Sequence, residues 1–272
     1  MKIPQNVIKT VAFIAYRDRQ TNEAVPVGSC FFVGQQDSPE QAVASRVFVV
    51  TAKHVIESLR SKGCESCLLR LNPIDRRRKL IELEIPIERW RFHPSDENVD
   101  VAVLEQGVPA EADHLVIPLS LGADVEKFSI NEVDLGDEVF VSRLFIHHSG
   151  QKRNTPIVRV GSLAALAEEK VRTKRGYIDA YLIEARSIGG LSGSPVFVNL
   201  GTTRMIAGEM KVHTGGPNYF LHGLIHGHFR AAVDDRMVTE GGRDVEHELV
   251  NAGIAIVVPF EKVTEAIAPL IT

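Results

Sequence analysis

The stretch Gly189-Gly190-Leu191-Ser192-Gly193-Ser194-Pro195-Val196-Phe197 decides how the rest of the chain is read. Glycine weakens the interior of both helices and strands, so a serine set among glycines predicts a loop, and Pro195 opens the apolar strand that follows. Such a loop presents a hydroxyl beside exposed backbone N–H groups. Acyl transfer needs that pair: an oxygen nucleophile and main-chain donors for the oxyanion formed on attack. A bare turn is the competing reading of any Gly-Ser-Gly run.

A serine hydroxyl attacks poorly near neutral pH, so it needs a base, and the base needs a group that fixes its tautomer. Upstream, Arg46-Val47-Phe48-Val49-Val50-Thr51-Ala52 predicts a buried strand that runs out at Lys53-His54, placing His54 at a strand end. Asn98-Val99-Asp100-Val101-Ala102-Val103-Leu104 predicts another apolar strand with one carboxylate near its start. A buried carboxylate requires a partner, and an imidazole N–H suits it. Taken singly, His54 could instead bond a backbone carbonyl and Asp100 could cap a turn.

In this order, Thr51-Ala52-Lys53-His54-Val55, Asp100-Val101-Ala102-Val103-Leu104 and Gly190-Leu191-Ser192-Gly193-Ser194-Pro195 resemble the three motifs of the trypsin-like (chymotrypsin-fold) serine peptidases. Gly28-Ser29-Cys30-Phe31-Phe32-Val33 and Ala252-Gly253-Ile254-Ala255-Ile256-Val257-Val258-Pro259 resemble an early and a late barrel strand of the bacterial, HtrA-like branch. The resemblance implies an all-β fold of two six-stranded antiparallel β-barrels with a short C-terminal helix. It also implies a cleft where Ser192 is the nucleophile, His54 the general base and Asp100 the orienting carboxylate. The N–H groups of Gly190 and Ser192 would form the oxyanion hole, with no metal or organic cofactor. The substrate would be a protein or peptide. Leu191 stands where cleavage-activated relatives carry an aspartate, so such activation is not expected, and packing or an activating partner protein would have to shape the oxyanion loop. A catalytically silent, peptide-binding or scaffolding use of the fold is the alternative, and an esterase a third. No PDZ domain fits in the remaining residues.

Short β-rich segments separated by turns agree with this fold. Those from Val7–Ile14 to Val99–Leu104 would build the first barrel, within residues 1–120. Those from Val139–Ile146 to Ala252–Val258 would build the second, within residues 121–260, with Met205–Val212 as one strand and Tyr177–Ala185 as another. Val263, Ile267 and Leu270 carry helical spacing in residues 261–272.

The strand His222-Gly223-Leu224-Ile225-His226-Gly227-His228 resembles the edge on which relatives seat substrate as an added strand. That makes Ile225, His226, Gly227 and His228 candidate substrate contacts, and Arg186 a candidate lining residue of the primary pocket. Two other readings stay open: histidines decorating an exposed hairpin, or a zinc cluster of His222, His226 and His228 on one strand face.

A net charge of −4 and a pI near 6.2 give no reason to expect nucleic acid or an anionic membrane as partner. The basic run Arg76-Arg77-Arg78-Lys79 predicts a solvated hairpin tip. Pro4 and Lys9 interrupt the first apolar stretch, so no secretory signal and no membrane span are expected. Cys30, Cys64 and Cys67 cannot all pair, which points to a cytoplasmic, reducing setting. Cys64-Glu65-Ser66-Cys67 has the spacing of half a zinc site without its second half.

Overall fold

The structure is a computed structural model that describes residues 3–38, 43–144, 150, 152–185, 192–214, 216–232 and 249–271. Its first half contains β1 (Val11–Arg17), β2 (Ala24–Gln35), β3 (Arg46–Thr51), β4 (Ser66–Leu71), β5 (Ile81–Pro86), β6 (Arg91–Phe92), β7 (Ala102–Glu105) and β8 (Ile117–Pro118). They form one sheet in the order β5-β4-β1-β2-β3-β7-β6, with β8 pairing parallel to β2. Among the described residues its two ends do not pair, so this sheet wraps as a half-barrel.

The second half contains β9 (Glu138–Leu144), β10 (Pro156–Ala165), β11 (Val171–Thr173), β12 (Gly176–Ile178), β13 (Tyr181–Glu184), β14 (Pro195–Asn199), β15 (Thr203–Ile206), β16 (Glu209–Val212), β17 (Tyr219–Ala232) and β18 (Leu249–Pro259). Six of them close a barrel in the order β10-β13-β18-β17-β14-β9. The segments 171–178 and 203–212 stand off it as two hairpins. The strand expected over Met205–Val212 is one of these: Ala207 and Gly208 both take positive φ and turn it back on itself. Tyr177–Ala185 likewise splits into β12 and β13. Arg76 to Lys79 lie in an exposed turn, as the charge run suggested.

Apolar alternation explains how the halves join. Phe13, Phe31, Phe32, Phe48, Val50 and Val103 are buried in the first sheet, and Phe140, Phe197, Leu221 and Val258 continue the same packed cluster from the second. Residues 105–134 join the two halves, and Ala112 and Ile117 of this segment are buried in the same core. Gly122 passes directly under the Phe260 ring, where a side chain on residue 122 would clash. Among the described residues there are three α-helices: α1 (Lys53–Ser61), α2 (Val125–Ile130) and α3 (Phe260–Ile271). Val263 and Ile267 are buried on the core as their spacing predicted, joined by Ala266, while Leu270 is only partly buried against it. Among the described residues, no helix is long and apolar enough to cross a membrane.

Candidate active site in the cleft between the sheets

Strand β3 ends at Thr51, and the chain turns at once into α1, so His54 lies in the first turn of a helix. That placement aims both its backbone and its ring at one side chain. Its N–H donates to Asp100 Oδ1 at 2.8 Å, and its Nδ1 meets Asp100 Oδ2 at 2.6 Å. Asp100 precedes β7 and is fully buried. Burial alone would raise its pKa, but hydrogen bonds from His226 and His54 outweigh that and hold the carboxyl well below the usual carboxylate range. An ionised carboxylate can only accept, so Nδ1 of His54 carries the proton and Nε2 keeps the lone pair that a general base needs.

Ser192 comes from the opposite side, on the turn into β14. The turn is pinned on both sides: Ser29 N–H of the first sheet donates to Ser192 O at 3.1 Å, and Gly193 N–H donates to Ile225 O of β17 at 2.9 Å. Gly193 has φ +82° and packs against Ser29 O and Thr51 Oγ1, leaving no room for a Cβ. The Ser192 hydroxyl donates to His226 O at 3.2 Å, and among the described residues it makes no hydrogen bond to His54. The cleft therefore contains His54, Asp100 and Ser192, with the imidazole–carboxylate contact made and the hydroxyl turned toward β17.

Two further side chains converge on Asp100. His226 Nδ1 meets the same Oδ2 at 2.5 Å, and the two imidazoles stand nearly perpendicular, 79° apart with ring centres separated by 5.7 Å. Arg175, at the tip of the β11–β12 hairpin, brings Nε to 3.7 Å from Asp100 Oδ1 and pairs through Nη2 with Glu57 of α1. The sequence reading had His226 among candidate substrate contacts and did not single out Arg175. The Thr173–Gly176 turn signals a hairpin, but nothing local reveals that its tip reaches across to a carboxylate 75 positions earlier in the chain.

The other histidines of β17 do not join them. Alternation predicts His222, His226 and His228 on one face, but the register shift between Ile225 and Gly227 breaks that parity. His222 is fully buried, stacked on Phe128 and 4.2 Å from the Tyr181 ring centre, with neither ring nitrogen hydrogen-bonded among the described residues. Burial pushes its pKa down to about 3. The zinc cluster His222/His226/His228 does not form among the described residues: their one group of three metal-ligating side chains is His54, Asp100 and His226. Nor is β17 a simple edge, because β14 and β18 flank it. The β14 register stops at Leu224, and Ile225 still bonds the turn into β14 through both backbone groups, accepting from Gly193 N–H and donating to Ser194 O at 2.9 Å each, so only Gly227 and His228 lie beyond that pairing. All three cysteines are free thiols. Burial raises the Cys67 pKa to about 11, disfavouring the thiolate a metal would need. Arg186 and Gly190 lie outside the described residues.

No family model and no curated protein sequence matches the chain. Solved structures do. The MamO protease domain from Magnetospirillum magneticum (apo form) superposes with a TM-score of 0.53 at 14% identity, covering 96% of each chain. The Rv3671c protease, inactive form, aligns over 97% of this chain and 89% of its own, with a TM-score of 0.47 and 17% identity. Deg5 aligns over 80% of this chain and 84% of its own, with a TM-score of 0.43 and 18% identity.

The fold is that of the trypsin-like serine proteases.

Within that fold, Ser192 lies on the turn into β14 of the closed second barrel, His54 lies in α1 just after β3, and Asp100 precedes β7.

Proposed function

We propose that the chain is a serine endopeptidase that hydrolyses peptide bonds through Ser192, His54 and Asp100. The observation that carries this reading is the 2.6 Å contact between His54 Nδ1 and a fully buried Asp100, which sets the imidazole's tautomer for general-base work. The reading requires the Ser192 hydroxyl to leave His226 O and turn to His54 Nε2. His54 then takes the hydroxyl proton as Oγ attacks the carbonyl, and returns it to the leaving amine; water hydrolyses the acyl-enzyme. The N–H groups of Gly190 and Ser192 are the proposed oxyanion donors, each worth on the order of 3 kcal/mol of transition-state stabilisation. Substrate would lie along Ile225 to His228, with Gly227 and His228, beyond the β14 pairing, as the proposed backbone partners of an added strand. Arg186 is the proposed contact for the first side chain. The three free thiols support a cytoplasmic setting.

One observation favours a second reading, a silent module that binds peptides in the same cleft. The Ser192 hydroxyl is engaged by His226 O rather than by His54. Labelling with a fluorophosphonate probe separates the two. The peptidase reading expects covalent labelling that vanishes in Ser192→Ala, together with products from a peptide library. Absence of labelling and of cleavage in the folded full chain would favour the silent module, with an activating partner protein as the remaining route to activity.

A further inference from the structure

We infer that His54, Asp100 and His226 form a binding site for a divalent transition-metal cation of the zinc type, and that occupancy switches the cleft off. Three separate parts of the chain deliver these groups: the first turn of α1, the segment before β7, and the middle of β17. Their ligand atoms lie within 4.8 Å of one another. Two imidazoles and one carboxylate are the donor set that zinc, cobalt and nickel favour, with a fourth position left for water. Asp100 is fully buried while the His54 side chain is 33% exposed, so an ion enters from the His54 side.

As drawn, the cluster is held by protons, with N–O separations of 2.6 and 2.5 Å. Around a tetrahedral ion with bonds of about 2.0–2.2 Å, ligand atoms stand about 3.3 Å apart, so each imidazole retreats from Asp100 by less than about 1 Å. That is a side-chain adjustment and leaves the backbone in place. The exchange balances without an added base: each neutral imidazole passes its proton from Nδ1 to Nε2, and Nδ1 takes the metal in its place. For His54 this removes the Nε2 lone pair that would accept the Ser192 proton. The metal site itself stands whether or not Ser192 is a nucleophile; only the inhibition rests on the peptidase reading. Arg175 opposes the ion, since its guanidinium lies 3.7 Å from the other oxygen of Asp100.

Calorimetric titration of the full chain with Zn²⁺, and visible spectra with Co²⁺, test the site. One ion per chain is expected, with the intense absorption of tetrahedral cobalt. His226→Gln keeps an N–H that can donate to Asp100, so its fold should hold by thermal unfolding while affinity falls at least about tenfold. His54→Ala should do the same, and Arg175→Ala should tighten binding. Ser192→Ala, which ends peptidase action on the reading above, should leave the metal affinity unchanged, so the two ideas fail independently. Absence of Zn²⁺ binding, or binding equally strong in the His54→Ala/His226→Gln double variant, would overturn the inference.

Discussion

The two walls of the cleft hold their reactive groups in different ways. On the first-sheet wall, His54 is fixed twice to one buried carboxylate, through its backbone N–H and its ring. On the second-barrel wall, the backbone around Ser192 is equally tied down, yet the hydroxyl swings about one bond and points to His226 O. On the proposed peptidase reading, preorganisation is thus complete for base and carboxylate and deferred for the nucleophile. The difference teaches that an assembled imidazole–carboxylate pair reports fold and tautomer, while activity is decided by where one hydroxyl turns.

The largest expected effect breaks the first wall. Asp100→Asn retains the shape but presents an amide that can donate, so His54 loses its enforced Nδ1–H tautomer. Turnover of a cleaved peptide is expected to fall by about 10⁴-fold, the scale known for a triad carboxamide. A kcat within tenfold of the parent would place Asp100 in a purely structural role.

Gly193→Ala breaks the second wall. A side chain at φ +82° adds about 1–2 kcal/mol of backbone strain, and its Cβ meets Ser29 O and Thr51 Oγ1, adding about 1–3 kcal/mol of overpacking. Urea denaturation should show a loss of about 2–5 kcal/mol, with fluorophosphonate labelling lost in the fraction that stays folded. A variant with parental stability and labelling would show that the serine turn relaxes freely.

The sequence made the first wall easier to read than the second. Thr51-Ala52-Lys53-His54 and Asp100-Val101-Ala102 place their polar groups at the ends of apolar runs, and burial then leaves the carboxylate few partners. The glycine loop around Ser192 announced its conformation for the same local reason, since Gly193 can take positive φ. What stayed hidden depends on register. A bulge in β17 sends His226 to the cleft and His222 into the barrel, and no period-2 pattern anticipates a bulge. Arg175 was invisible because a hairpin standing off the barrel sets its reach. The half-barrel form of the first sheet was hidden too, as strand count alone does not fix closure.

His222 sharpens the contrast within β17, because it is the same residue type four positions before His226 with the opposite surroundings. It has no hydrogen-bond partner among the described residues and stacks on Phe128. Its folded pKa of about 3 lies below the usual 6.5, so the unfolded chain takes the proton first. The stability tied to its neutral form is therefore complete above pH 6.5 and drains away as pH falls from 6.5 toward 3. His222→Phe keeps the stacking and removes the unpaired nitrogens. It is expected to stabilise the fold by about 1–3 kcal/mol at neutral pH. It should also flatten the acid limb of the stability profile. An unchanged acid limb in urea titrations across that range would mean that other groups carry the acid sensitivity.

The smallest effect is expected farthest from both walls, on the β15–β16 hairpin. Met210 there is 70% exposed and pairs across to Met205, itself 56% exposed. Little apolar surface is buried at either position, so Met210→Ser removes almost nothing that folding hides from water. A stability change within about 0.5 kcal/mol is expected, with labelling of Ser192 unaltered. A larger loss would require the hairpin to pack on something in solution. In that case the exposed methionines would be read as a contact face, and the functional surface would extend beyond the cleft.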